Sequence, residues 1–141
     1  MLACAALAVS VSACGSSATG ATTPRPPAPV NVTVYVDNSR VSISPSSVGA
    51  GPVQFIITNQ ASRAVSLAIL RGGASGQSLA NTGPINPQAT AQITVDFSSP
   101  GRYSVASGGG SGGGSEGGGI RAASLRIGRP RSNSDNTLLQ P

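Results

Sequence analysis

Val30-Asn31-Val32-Thr33-Val34-Tyr35-Val36 sets valine at every second position, with Asn, Thr and Tyr between. Successive side chains of an extended strand point to opposite faces, so a period of two marks one dry face and one wet face. A helix would bring together residues three and four apart and would scatter these valines around its surface. Valine is also stiff at χ1, which suits a pleated sheet better than a helix. The run therefore predicts a half-buried β-strand.

The same period recurs towards the C-terminus. Asp37-Asn38-Ser39 is turn chemistry, and Val41-Ser42-Ile43-Ser44 alternates again until Pro45. Residues 46–52, rich in Ser, Gly and Pro, are expected to form a loop. Val53, Phe55 and Ile57 face one way in the next strand, with Gln54, Ile56 and Thr58 opposite, and Asn59-Gln60-Ala61-Ser62 turns the chain. Val65, Leu67 and Ile69 alternate with Ser66, Ala68 and Leu70, and residues 71–90 are expected to be loop. Ile93, Val95 and Phe97 mark a further strand, Ser99-Pro100-Gly101 a tight turn, and Tyr103 and Val105 the strand after it. A last strand is predicted over 120–127, with Leu125 and Ile127 inward. No segment sustains a 3.6-residue period. The prediction is an all-β, Greek-key β-sandwich of about seven strands over residues 30–128. Aromatic residues are 3% of the chain, so Val, Ile, Leu and Ala must supply most of the core.

Towards the N-terminus the composition changes. Residues 15–29 hold no large apolar side chain and cannot offset the entropy of ordering, so 14–29 is read as a tether whose Pro-rich half is extended. Residues 2–13 are small or apolar and uncharged, too short a run to span a bilayer but suited to the hydrophobic region of an export signal. No Lys or Arg precedes the run, which places the positive n-region of such a signal upstream of Met1. At its end, Val11-Ser12-Ala13-Cys14 followed by Gly15 resembles the bacterial lipobox. That resemblance implies a signal peptide over 1–13, cleavage before Cys14, and a diacylglyceryl group on the Cys14 thiol. Two acyl chains suffice for stable attachment. The implied address is the extracytoplasmic face of the cell membrane, with membrane lipid as the first partner and an envelope protein as a second.

Composition removes whole classes of chemistry. The chain has no histidine, so the commonest general base and metal ligand are missing. Asp37, Asp96, Glu116 and Asp135 are the only carboxylates and are dispersed, whereas Ca²⁺ takes six to eight oxygens. Neither an enzyme nor a bound cofactor is expected. The net charge of +5 comes entirely from arginines. Without a basic helix or interleaved aromatics it does not point to nucleic acid. Arg121, Arg126, Arg129 and Arg131 crowd the C-terminal end, but strand parity puts 126 opposite 121, so the expectation is a solvated face and tail. The tail, 129–141, carries an apolar pair, Leu138-Leu139.

From Val41 to Leu70 the residues resemble the first half of a cupredoxin-like domain. Ser44-Pro45, Val48, Gly51-Pro52-Val53, Phe55 and Thr58-Asn59 carry the likeness, and Ser99-Pro100-Gly101-Arg102-Tyr103 is similar to the turn before the family's copper loop. The resemblance implies a type I copper site, which takes two His, one Cys and a weak axial Met. The first His position corresponds to Val65 and the Cys position to Ser107, while the loop that would carry the rest, 108–119, holds only Gly, Ser and Glu116. None of the four ligands is present. The glycine tract also lacks the Lys-Ser/Thr of a phosphate-binding loop. The expected function is a membrane-anchored, non-catalytic interaction or structural module. The alternatives are a copper-handling accessory protein, or a small-ligand module that would use Tyr35 and Tyr103 as its aromatic platform.

Overall fold

The computed structural model describes residues 27–73, 75–108 and 119–131. The alternating segments become strands: β1 (Val30–Val36), β2 (Val41–Ser44), β3 (Ser47–Asn59), β4 (Leu67–Arg71), β5 (Gln77–Asn81), β6 (Thr90–Phe97), β7 (Gly101–Ser107) and β8 (Ala123–Pro130). One sheet has the order β2-β1-β3-β6 and the other β3-β8-β7-β4-β5, with β3 common to both. β1 runs parallel to β3, and β3 parallel to β8, while the remaining pairs are antiparallel. The architecture is an all-β sandwich, as expected from the alternation.

The predicted inward residues fill the space between the sheets. Val32, Val34, Val36, Val53, Phe55 and Ile57 from one sheet meet Leu67, Ile69, Val105, Leu125 and Ile127 from the other. Each such side chain, taken fully from water, contributes roughly 1.5–3 kcal/mol. Phe97 stands edge-on to both Phe55 (centroids 6.1 Å apart) and Tyr103 (4.7 Å). The Tyr103 hydroxyl donates to the Ser99 carbonyl at 2.8 Å, so the polar end of a buried ring is satisfied within its own turn.

Three expectations are corrected. The first concerns 46–52. Ser47, Val48 and Gly49 pair with Arg126, Ile127 and Gly128 of β8, and from Gly51 onward the same strand pairs with β6. Gly51 sits at φ 123°, where a side chain is disfavoured, and its glycine lets β3 pass from one sheet to the other. Gly and Pro here mark a bend within a strand. Second, β5 lies inside the supposed loop 71–90. It is an edge strand, exposed at Gln77, Ser78, Leu79 and Asn81, and needs no apolar alternation. Third, β8 is displaced to Ala123–Pro130, so Arg129 and Pro130 belong to a strand.

Arg131, expected in a solvated tail, instead fastens the sandwich. Its backbone N–H donates to the Ala50 carbonyl at 3.1 Å. Its guanidinium donates to the carbonyls of Ala28 (2.7 Å), Pro52 (2.6 Å) and Ala50 (3.3 Å). Gly49 and Gly51 make room for it. A Cβ on Gly49 would stand 2.6 Å from Arg131 Cγ, and one on Gly51 2.9 Å from its Nη2.

Candidate functional site

The corner between β3 and β4 is where the resemblance would put a metal. It is built around Asn59, the last residue of β3, which has no exposed surface. Its Nδ2 donates to the carbonyls of Arg63 and Ile85, both at 2.8 Å, and its Oδ1 accepts from the Ala61 N–H at 2.9 Å. Its backbone N–H donates to the Ala89 carbonyl at 3.0 Å, and its carbonyl accepts from Gln88 at 2.7 Å. One side chain therefore holds the 60–65 turn against the 85–89 segment. Gln88 takes φ 65° to make its contact.

Val65 follows that turn. It is buried and closes a two-bond bridge with Ile85, N–H to O at 3.1 and 3.0 Å. Ser107 ends β7, half-buried and paired with Leu67, and the next N–H, of Gly108, donates to the Ser66 carbonyl at 3.0 Å. The fold thus brings the two predicted ligand positions to one end of the sandwich, Val65 just before β4 and Ser107 at the end of its neighbour β7. Most of the 108–119 loop, including Glu116, lies outside the described residues.

The donor set does not fit type I copper. That centre takes imidazole, thiolate and thioether. Here the side chains are an isopropyl group, a hydroxyl and an amide whose N–H and C=O groups are committed to the backbone. Among the described residues no three of His, Cys, Asp or Glu come together, and every buried side-chain nitrogen and oxygen has a hydrogen-bond partner. Among the described residues no acid, base or nucleophile pair forms at this corner. Val11, Ser12, Ala13, Cys14 and the Leu138-Leu139 pair lie outside the described residues.

Elsewhere the structure redistributes the sequence candidates. Tyr103 is a core residue, 3% exposed, and cannot serve as a binding platform, whereas Tyr35 is 46% exposed on the outer face of β1. The four C-terminal arginines separate. The Arg121 backbone bridges to Arg40 and Arg131 clamps β3, while Arg126 and Arg129 join Arg102 on one groove. Sequence distance hides Arg102 from the others. The signal that could have found it is the pairing of the strand after Pro100-Gly101 with the last strand.

This architecture defines a cupredoxin-like β-sandwich. No protein-family model and no curated protein matches the sequence. Among solved structures the chain is similar to Na-dithionite-reduced auracyanin from the photosynthetic bacterium Roseiflexus castenholzii. The TM-score is 0.50 and the identity 13%, over 70% of this chain and 95% of that one. It is likewise similar to auracyanin B, with a TM-score of 0.50 and 16% identity, over 72% of this chain and 91% of that one. At such identities the likeness establishes the fold alone.

Proposed function

We propose that this protein is an extracytoplasmic lipoprotein, anchored through a diacylglyceryl group on Cys14, whose cupredoxin-like sandwich is a non-catalytic interaction or structural module. The observation that carries the reading of the domain is the β3–β4 corner. Val65 seals the first ligand position in a bridge with Ile85, and Ser107 replaces a thiolate at the second. A scaffold without a donor set has no means of holding a redox metal, which leaves its surfaces as the working parts. The lipobox-like Val11-Ser12-Ala13-Cys14 carries the reading of the address.

Two measurements test it. Intact mass of the membrane-extracted protein should match a chain beginning at lipidated Cys14, and Cys14→Ser should release the protein from the membrane fraction. Unlipidated wild-type protein in the medium would refute the anchor. Copper titration of the purified domain should give no thiolate-to-metal absorption band. Stoichiometric copper bound below micromolar would restore metal handling.

A further inference from the structure

The side of the sandwich formed by β7 and β8 carries a groove lined by three arginines and, among the described residues, by no carboxylate. Arg102 and Arg126 are direct cross-strand partners, and both are exposed, so their side chains leave the same face side by side. Arg129 follows where the β3–β8 register shifts past Gly49, and its side chain is exposed too. With Pro100, Gly101, Ile127 and Gly128, the three arginines line an open groove of about 530 Å³. None of the three guanidiniums has an ion-pair or hydrogen-bond partner among the described residues, where the single salt bridge joins Arg40 to Asp37. Asp37 is held in its own turn, and Asp96 lies on β6 in the other sheet. Like charges directly opposite on neighbouring strands repel.

We infer that this groove is a binding site for the oxyanion of a phosphate mono- or diester. A guanidinium presents paired N–H donors in a fixed fork that matches two oxygens of a phosphate, and three forks around one groove suit a tetrahedral anion better than a planar carboxylate. The glycines at 101 and 128 add no side-chain bulk to the groove wall. No aromatic ring lines the groove, so it offers nothing to stack on a base, and the recognised chemistry is the phosphate itself. The site does not depend on the Cys14 anchor and stands or falls separately from it.

The test uses the full chain with Cys14→Ser, so that lipidation plays no part. One arm is a titration with inorganic phosphate followed by amide shifts in NMR. The other is sedimentation with phosphatidylglycerol–phosphatidylcholine vesicles against phosphatidylcholine alone. Shifts centred on residues 100–102 and 126–129 would indicate free phosphate as a ligand. Binding only to the anionic vesicles, weakening as salt is raised, would indicate a lipid headgroup. Either supports the site if R102Q/R126Q lowers binding, by about thirtyfold in the vesicle arm, while thermal unfolding shows the variant folded. R40Q/R121Q removes the same charge at the other end of β8 and should leave binding within about twofold of the parent. The inference is overturned if neither arm shows binding, or if both double variants weaken it equally.

Discussion

Single side chains here do the work of whole contacts. Asn59 satisfies three backbone groups of two segments from inside the core. Replacing it with Ala strands the Arg63 and Ile85 carbonyls and the Ala61 N–H, each at a cost that depends on how much water can reach it. Asn59→Ala should therefore destabilise the domain by about 3 kcal/mol in urea unfolding, with an unchanged slope against denaturant. Asp37 acts at the surface. Its carboxylate accepts from the Ser39 hydroxyl (2.7 Å), the Ser39 N–H (2.6 Å) and the Arg40 N–H (2.8 Å), which together hold its pKa below the ordinary 3.8. Because the folded value lies below the unfolded one, the turn is fully supported above about pH 4 and loses that support as pH falls through the folded value. An NMR titration of the Asp37 carboxyl should give a midpoint below 3.8, and Asp37→Asn should abolish that part of the acid dependence.

At the scale of the element, β3 is the strand on which the rest is hung, since it pairs in both sheets. Arg131 secures its bend by capping the carbonyls of Ala50 and Pro52. Arg131→Ala should cost about 1–3 kcal/mol, and Arg131→Lys should recover little, because an ammonium lacks the guanidinium's fixed fork of donors. Gly49→Ala should reproduce part of the loss by displacing the Arg131 stem, which denaturation of the two single variants and the double variant would test. How far such elements could be read from sequence follows from their burial. β1, β6 and the second half of β3 each bury one face, and that face wrote the alternation. β5 buries little and left no pattern, and the first half of β3 is interrupted by glycines whose meaning depends on an arginine 80 residues away. The ligand positions Val65 and Ser107 are legible only through the resemblance, since nothing in their own chemistry singles them out. Arg102 meets Arg126 only through the pairing of β7 with β8, which no local pattern encodes.

For the whole molecule, the two faces differ in charge. The outer face of the β2-β1-β3-β6 sheet is largely uncharged, with Gln54 donating to Gln92 at 3.0 Å and Thr58 bonded to Thr90 at 3.1 Å, while the β7–β8 side concentrates arginine. Under the proposed Cys14 anchor, the unequal charge would favour turning the arginine side to an anionic surface.

The bond from Arg131 to the Ala28 carbonyl has a further consequence. It places the two ends of the described sandwich within the reach of a single side chain, at 2.7 Å from guanidinium to carbonyl. Topologically the domain is almost a closed loop that happens to be cut at that corner. Joining 27 to 131 through a short glycine linker and opening new termini at Gly72-Gly73, in the connection between β4 and β5, should give a permutant that folds with the parent's circular dichroism and cooperative melting.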